Sequence, residues 1–515
     1  MNSSSEKFLY EPHKSSTAQV NVWMAFPGPE NFAMSSLGYL WLYKDLDENE
    51  YVNTERINTD TEITEMNINE IDFIGFSFSF DTDFINIFSI LDKNKIPIKK
   101  SDRNETCPII FAGGPVVTAN PTPYEEFFDF FIIGDGEFLN NKIIEIYRHN
   151  PNITKHEYMK LISQLKGIYV PGISNSVQKT TEKINTCIYT PIISSNAYFP
   201  DTFIIEIARG CANRCGFCLA SYINLPLRCL PTEEILKNID LGLTKTNKIA
   251  LLGAQLSAHP DFEKICDYVL MKAEQENRNI EMSISSLRVD AVTPKIIDTL
   301  KKLGQKNITL AIEAGSERLR KVINKNLTKE QIFNATEIAK NAGLRGFKFY
   351  GMIGLPTETE DDINELINLA KELKNKYKGF EISFSFSTFV PKPHTPFQWC
   401  GREETKSLER KSNYLQKELH KIGVQVSISS PKWDYWQAVL SRGDSSLSDF
   451  LIEVYNKGGK LGAYKQAAKS LKIDSDNFAC KDWNSSKQLP WDFIDMTPGK
   501  DFLIKENRRL LSIHD

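Results

Sequence analysis

The sequence predicts an α/β chain with an N-terminal doubly wound sheet, an incomplete (β/α)6 barrel and a mostly helical C-terminal region. Three observations carry that reading. Short apolar runs alternate with amphipathic stretches from about residue 20 to 146. A second and more regular alternation of six strand–helix units begins at Thr202. Past Pro396 the strand signal stops, and charged helical patterns follow, with a tail rich in tryptophan.

In the first series, 22–26, 73–80, 109–112 and 128–133 are apolar runs short enough for strands, and 34–44 and 84–91 are spaced as helices. The last of these strands runs into Gly134-Asp135-Gly136-Glu137, a turn at a strand end where an open sheet binds ligands. Strands of the second series are expected at 203–208, 248–252, 281–285, 308–313, 346–353 and 381–389. Amphipathic helices lie between them, at 232–243, 261–275, 294–303, 328–342 and 360–374. The domain boundaries follow: a flexible tail over 1–19, an α/β domain over 20–150, a connector with an added hairpin over 151–198, the barrel over 199–400 and the helical region over 401–515.

The 515 residues, 41% of them hydrophobic, supply a sizeable core and exclude a collagenous or disordered chain. Lys and Arg number 62 against 66 Asp and Glu, a balance that does not point to nucleic acid. No run approaches the ~20 apolar residues of a membrane span, and the first residues lack the basic and apolar regions of a signal peptide. A cytoplasmic protein without a membrane partner is expected. Nine cysteines, an odd number in a long chain, argue against a disulfide framework.

Three of those cysteines fall within eight residues, Cys211-Ala212-Asn213-Arg214-Cys215-Gly216-Phe217-Cys218, directly after the first barrel strand. Thiolates ligate iron–sulfur clusters, and this spacing lets three sulfurs converge on one cube. Three ligands to four irons leave one iron open to a small molecule. Zinc is the competing reading, but it calls for a fourth ligand, and Cys229 beyond Pro226 is the nearest thiol. The remaining six cysteines show no second cluster spacing and read as packing residues or lone thiols.

The CxxxCxxC pattern with an aromatic, Phe217, before its last cysteine resembles the radical S-adenosylmethionine superfamily. That resemblance implies Cys211, Cys215 and Cys218 as ligands of a 4Fe–4S cluster. S-adenosylmethionine would chelate the open iron and be cleaved to methionine and a 5′-deoxyadenosyl radical, which abstracts hydrogen from an unidentified substrate. Further matches follow in chain order. Gly253 ends the second strand where the family's Gly-Gly-Glu-like element meets the methionyl amino group, although Leu252-Gly253-Ala254-Gln255 is a degenerate version. Ser285 and Arg288 sit where the family binds the methionyl carboxylate or ribose, a surface salt bridge being the plain alternative for Arg288. Glu313, in Ala311-Ile312-Glu313-Ala314-Gly315, matches a fourth-strand carboxylate at the barrel mouth. Gly354 and Pro356 match the fifth-strand signature that shapes the adenine pocket. Glu358 and Glu360 read as the start of the next helix, complementing its dipole.

The resemblance spans about residues 22–510 and includes Ala112-Gly113-Gly114-Pro115, Gly134-Asp135-Gly136-Glu137 and Phe389-Val390-Pro391-Lys392-Pro393-His394. It is to a bacterial group in which an N-terminal cobalamin-binding-like domain precedes the barrel. The implied cofactors are the 4Fe–4S cluster, S-adenosylmethionine and, as a third candidate, cobalamin, with a flavodoxin or ferredoxin as electron donor. Cobalamin domains that ligate cobalt usually carry Asp-x-His-x-x-Gly, and no histidine here has Asp two residues before it. Nothing in 20–150 replaces that ligand, which favours a lid over the barrel mouth. A cobalamin-dependent radical methyltransferase is the alternative within the family, and a zinc-stabilised binding protein the alternative outside it. Methylthiotransferases of transfer RNA share the barrel signatures, but they would need three cysteines in an N-terminal domain that offers only Cys107. His394, between Pro393 and Thr395, reads as a substrate contact or as part of a rigid turn.

Overall fold

The computed structural model describes residues 5–13, 17–184 and 186–513. Its first unit is a six-stranded sheet in the order Val52–Ile57, Val20–Ala25, Phe73–Ser77, Ile109–Gly113, Phe130–Ile132, Ile168–Tyr169. The first five strands are parallel and the last is antiparallel. Chain order reverses between Val20–Ala25 and Phe73–Ser77, and in an open sheet the crevice beyond such a reversal is the place for a ligand. Strand Val52–Ile57 carries no apolar alternation, because it lies at the sheet's edge with its four middle residues half-exposed.

The second unit holds the six expected parallel strands. Thr202–Arg209, Lys248–Gly253 and Glu281–Ile284 form one half, and Asn307–Glu313, Gly346–Ile353 and Glu381–Thr388 the other. A single bridge, Leu287 to Leu310, joins the halves, so the barrel stays open. Residues such as Phe347, Phe349, Phe384 and Ile312 face outward into one core with the surrounding helices. Their alternates, including Lys348 and Tyr350, stay partly exposed on the lumen side.

Three expectations need correction. Within the supposed tail, Glu6–Phe8 pairs antiparallel with Ile192–Ser194; the tail's residues 1–4 and 14–16 lie outside the described ones. The connector contains helix Lys155–Ile162 and the edge strand Ile168–Tyr169, so the first sheet reaches beyond residue 150. Strand signal also does not end at Pro396: Gln425–Ile428 adds a parallel strand beside Glu381–Thr388. Its four residues are only half-buried or exposed, too little apolar pattern to register in sequence.

Helix Thr405–Lys421 joins the barrel core through Leu408, Leu415 and Leu419, and Leu510 of the last helix packs with Ala314 and Phe397, while the helices between them fold back onto the first sheet. Trp436, Phe450 and Tyr464 share a core with Phe76, Phe84 and Phe88. A buried knot fastens the three regions: Lys392 pairs with Asp81 at 2.8 Å, and the Ser441 hydroxyl donates to the same carboxylate at 3.0 Å. His394 belongs to this joint. Its backbone has φ +58°, its Nε2–H donates to the Ala119 carbonyl at 3.0 Å, and its backbone N–H donates to Gln398, which also accepts from the Trp491 indole. The histidine therefore fixes a turn, away from the barrel lumen.

Complete burial pushes the His394 imidazole from 6.5 down to about 4, against the pull of the Ala119 carbonyl. The unfolded chain then binds a proton that the folded chain refuses, so stability is full above pH 6.5 and is lost as pH falls toward 4. Urea denaturation between pH 7.5 and 4.5 is expected to show a loss of up to about 3 kcal/mol from this group, which His394→Gln removes.

Candidate active site

Strand Thr202–Arg209 delivers the chain to Gly210, and the cysteine loop begins one residue later. Gly210 has φ +87°, and a Cβ there would run into the carbonyl oxygens of Asn224 and Pro226. Glycine is required because the loop turns against its own exit. The thiol of Cys211 lies 3.5 Å from the Gln255 side-chain oxygen Oε1, and the Asn213 side-chain amide donates to that same oxygen at 2.7 Å. Asn324 donates to the carbonyls of Asn213 and Arg214 at 2.9 and 3.1 Å, and Gly216 exchanges backbone hydrogen bonds with Ile323 and Phe397. Phe217 packs half-buried beside Ala314, Leu355 and Phe397. The loop is thus held largely by backbone and amide contacts.

All nine cysteines are free thiols. Burial pushes the Cys215 thiol up to about 12 against the opposing Lys325 ammonium, and raises that of Cys218 as well. Each of these two also feels Cys211, so the three sulfurs form one electrostatic group. Among the described residues no three His, Cys, Asp or Glu side chains gather into a single-ion shell. Cys229 stands apart, its thiol 3.8 Å from the Ala258 carbonyl and raised by burial alone.

The other predicted residues gather at the C-terminal ends of the barrel strands. Gly253 stands opposite Ala208, and the Ser285 hydroxyl donates to the Gly253 carbonyl at 3.5 Å. Arg288 grips Asp290 through two bonds of 2.9 Å, the salt bridge foreseen as its plain alternative, while lying within electrostatic reach of Cys215 and Cys211. Glu313 has φ +65°, ends a strand at an irregular register and pairs with Lys325 at 3.2 Å, both side chains largely buried. A non-glycine residue held there costs backbone energy, and such residues cluster at functional sites. Gly354, with φ +76°, donates its N–H to Glu358 at 2.8 Å, and Pro356 follows half-buried.

Glu358 departs from its expected role. Helix Glu360–Lys376 starts instead from a capping box of Thr359 and Asp362. The Glu358 carboxylate folds inward onto Gly354 and onto Lys411 at 3.0 Å, and burial raises its pKa.

The first sheet closes over this region through one ion cluster. Arg209, one residue before Gly210, bonds to Asp135 at 2.9 Å, Glu137 at 2.6 Å and Glu206 at 2.7 Å. Arg228 pairs with Asp135 from the other side. Burial alone would lower the Arg209 guanidinium, but the carboxylates outweigh it and hold it above its usual range. Burial likewise opposes ionisation of Asp135, and the two arginines keep its carboxyl below the usual range. Sequence reading missed Arg209, Asn213 and Lys325. Only the position of Arg209 beside the cysteines hinted at a role.

Beside the ion cluster opens a cleft of ≈ 410 Å³, lined by Ser77, Gly113, Gly114 and Gly134 at the sheet's edge and by Glu206 and Leu252 of the barrel. It reaches inward between the sheet and helices Leu37–Asp47 and Leu139–Arg148. No histidine lines it.

Residues 41–171 match the family described as radical SAM proteins, N-terminal, and residues 205–370 match the radical SAM superfamily. An uncharacterized protein of Methanocaldococcus jannaschii is 32% identical over 406 residues, covering 78% of this chain and 84% of its own. The chain belongs to the radical SAM superfamily. It is an enzyme that uses a 4Fe–4S cluster to cleave S-adenosylmethionine and generate a 5′-deoxyadenosyl radical for hydrogen abstraction. A tRNA-2-methylthio-N(6)-dimethylallyladenosine synthase of Bdellovibrio bacteriovorus is 27% identical over 199 residues, which are 37% of this chain and 42% of that enzyme. Among solved structures, the cobalamin-dependent S-adenosylmethionine radical enzyme OxsB, with aqua-cobalamin and S-adenosylmethionine bound, shares the fold at TM-score 0.53 and 14% identity. That match covers 98% of this chain and 79% of OxsB. The radical methyltransferase TsrM of Kitasatospora setae, with cobalamin and cluster bound, matches at TM-score 0.52 and 11% identity over 72% of each chain. No helix among the described residues is long and apolar enough to cross a membrane.

Arg209→Met would leave three largely buried carboxylates with only Arg228 to balance them. A loss of about 3–5 kcal/mol in urea denaturation is expected. Arg209→Lys is expected to recover only part, because one ammonium cannot fork to three carboxylates.

Proposed function

We propose that Cys211, Cys215 and Cys218 hold the 4Fe–4S cluster and that Phe217, Gly253, Ser285, Arg288, Glu313, Gly354 and Pro356 surround the S-adenosylmethionine bound to it. The single observation that supports this is the largely buried thiol triplet at the mouth of an open parallel barrel, where strand-end loops carry chemistry. A cluster held there would supply a single electron for cleavage of the sulfonium, drawn from a flavodoxin or ferredoxin. Gln255 and Asn213 orient Cys211, while Lys325 offsets charge beside Cys215. The Glu313 carboxylate and the Arg288 guanidinium face the same mouth with opposite charges, a pair suited to the amino and carboxylate ends of a methionyl group. Cys211 and Cys215 are buried and Cys218 is half-buried, which limits water at the sulfurs, as a reactive radical requires. A reducing cytoplasm suits nine free thiols.

The cleft favours a corrinoid over an empty lid. It lies at the sheet's switch point, opens toward the barrel through Glu206 and Leu252, and contains a buried carboxamide, Asn140, with no hydrogen-bond partner. The glycine turns at Gly113-Gly114 and Gly134-Asp135-Gly136 would bring backbone against the group, and no histidine lines the cleft. Such a cofactor supplies methyl-transfer chemistry, which makes cobalamin-dependent radical methylation the reaction to test first.

Replacing any of Cys211, Cys215 or Cys218 by Ala is expected to abolish the broad absorbance near ~400 nm and S-adenosylmethionine cleavage, since each removes one iron ligand. Cys229→Ala should leave both intact; loss of iron in that variant would point to a four-thiolate site instead. Arg288→Ala and Glu313→Ala should retain iron and weaken S-adenosylmethionine binding by at least about tenfold, roughly 1.4 kcal/mol, in equilibrium dialysis.

A further inference from the structure

The inner end of the cleft has no use in the chemistry described so far. Its floor is the sheet face at Met24, Gly75, Phe111 and Ile132, all apolar, with Leu42 and Asn140 above from the two flanking helices. Phe111 stacks on Phe130 with ring centroids 4.9 Å apart and planes 5° apart. Asn140 is the exception in these surroundings. It is 1% exposed, and neither its carboxamide oxygen nor its nitrogen has a hydrogen-bond partner.

An unpaired buried amide costs about 1–3 kcal/mol, and a leucine at this position would avoid that cost. The next residue shows that the helix can supply partners where they serve packing. Asn141 accepts from Asn49 at 2.7 Å and donates to Asp45 at 2.8 Å. Asn140 therefore keeps a donor and an acceptor, side by side and unpaired, in the wall of an apolar slot. An asparagine carboxamide matches the edge of adenine, where an exocyclic amine lies beside a ring nitrogen.

We propose that Asn140 reads the donor–acceptor edge of an adenine-type ring buried at the inner end of the cleft. The inference rests on the reading that the cleft holds a corrinoid, and it specifies which kind. The favoured corrinoid carries adenine as its lower base, because dimethylbenzimidazole has no amine to pair with Asn140. A free adenine nucleotide offers the same edge, so the test includes both sources.

The full chain, reconstituted with its cluster, is titrated with adeninylcobamide, with hydroxocobalamin and with AMP, and bound cobalt or nucleotide is measured after desalting. The wild type is expected to hold adeninylcobamide roughly ten- to a hundredfold more tightly than hydroxocobalamin. Asn140→Leu should erase that preference, keep hydroxocobalamin binding, and melt at a higher temperature in the unliganded state. If Asn140→Leu does not fold, Asn140→Asp, which keeps the shape and loses the donor, takes its place alongside the wild-type preference. AMP binding that depends on Asn140, with neither corrinoid retained, would uphold the adenine reading and overturn the corrinoid one. Equal affinity for the two corrinoids, unchanged by the substitution, would overturn the adenine reading alone. Retention of none of the three probes would overturn both.

Discussion

The structure depends on one buried guanidinium. Arg209 ends the strand that carries the cysteine loop, and its three carboxylate partners come from two different units: Glu206 from the barrel, Asp135 and Glu137 from the first sheet. Arg228, on the two-residue strand paired to Ala208–Arg209, grips Asp135 as well. Charges this well buried are tolerated only when each is matched, so neither unit can shift without exposing an uncompensated ion. A planar fork satisfies several carboxylates at once, which a point charge cannot. The glycine turn that edges the cleft and the strand that positions the sulfurs are thereby one rigid piece.

That constraint explains how two open architectures share one mouth. A doubly wound sheet offers its carboxyl-terminal edge to a ligand, and a parallel barrel offers the same end of its strands. Here the two edges meet, and Leu252 and Glu206 of the barrel form part of the wall of the sheet's cleft. The C-terminal helices make this arrangement stable from behind: Trp436 and Tyr464 cover the opposite face of the sheet, while Lys392 and Ser441 close on Asp81.

The matched tRNA-modifying enzyme of Bdellovibrio shares 37% of this chain, whereas OxsB shares its fold over 98%. In such a chain the barrel defines the radical chemistry, and the cleft's lining decides what stands opposite it.

Much of this was determined by sequence alone, because local signals carry it. The cysteine spacing, the six strand–helix units and the glycine turns are short-range patterns, and spacing along the chain sets them. The family resemblance marked Gly253, Ser285, Arg288 and Glu313, and the tertiary structure places them at or just beyond the C-terminal ends of the barrel strands. Sequence did not reveal the edge strands Val52–Ile57 and Gln425–Ile428, whose half-exposed residues need no apolar alternation. Nor did it assign Glu358, which resembles a helix-starting acid until Lys411, 53 residues away, draws it inward. Arg209, Lys325 and Asn140 belong to the same class. A charge or an amide has no periodicity of its own, and its meaning comes from groups that only folding places beside it or, for Asn140, leaves absent.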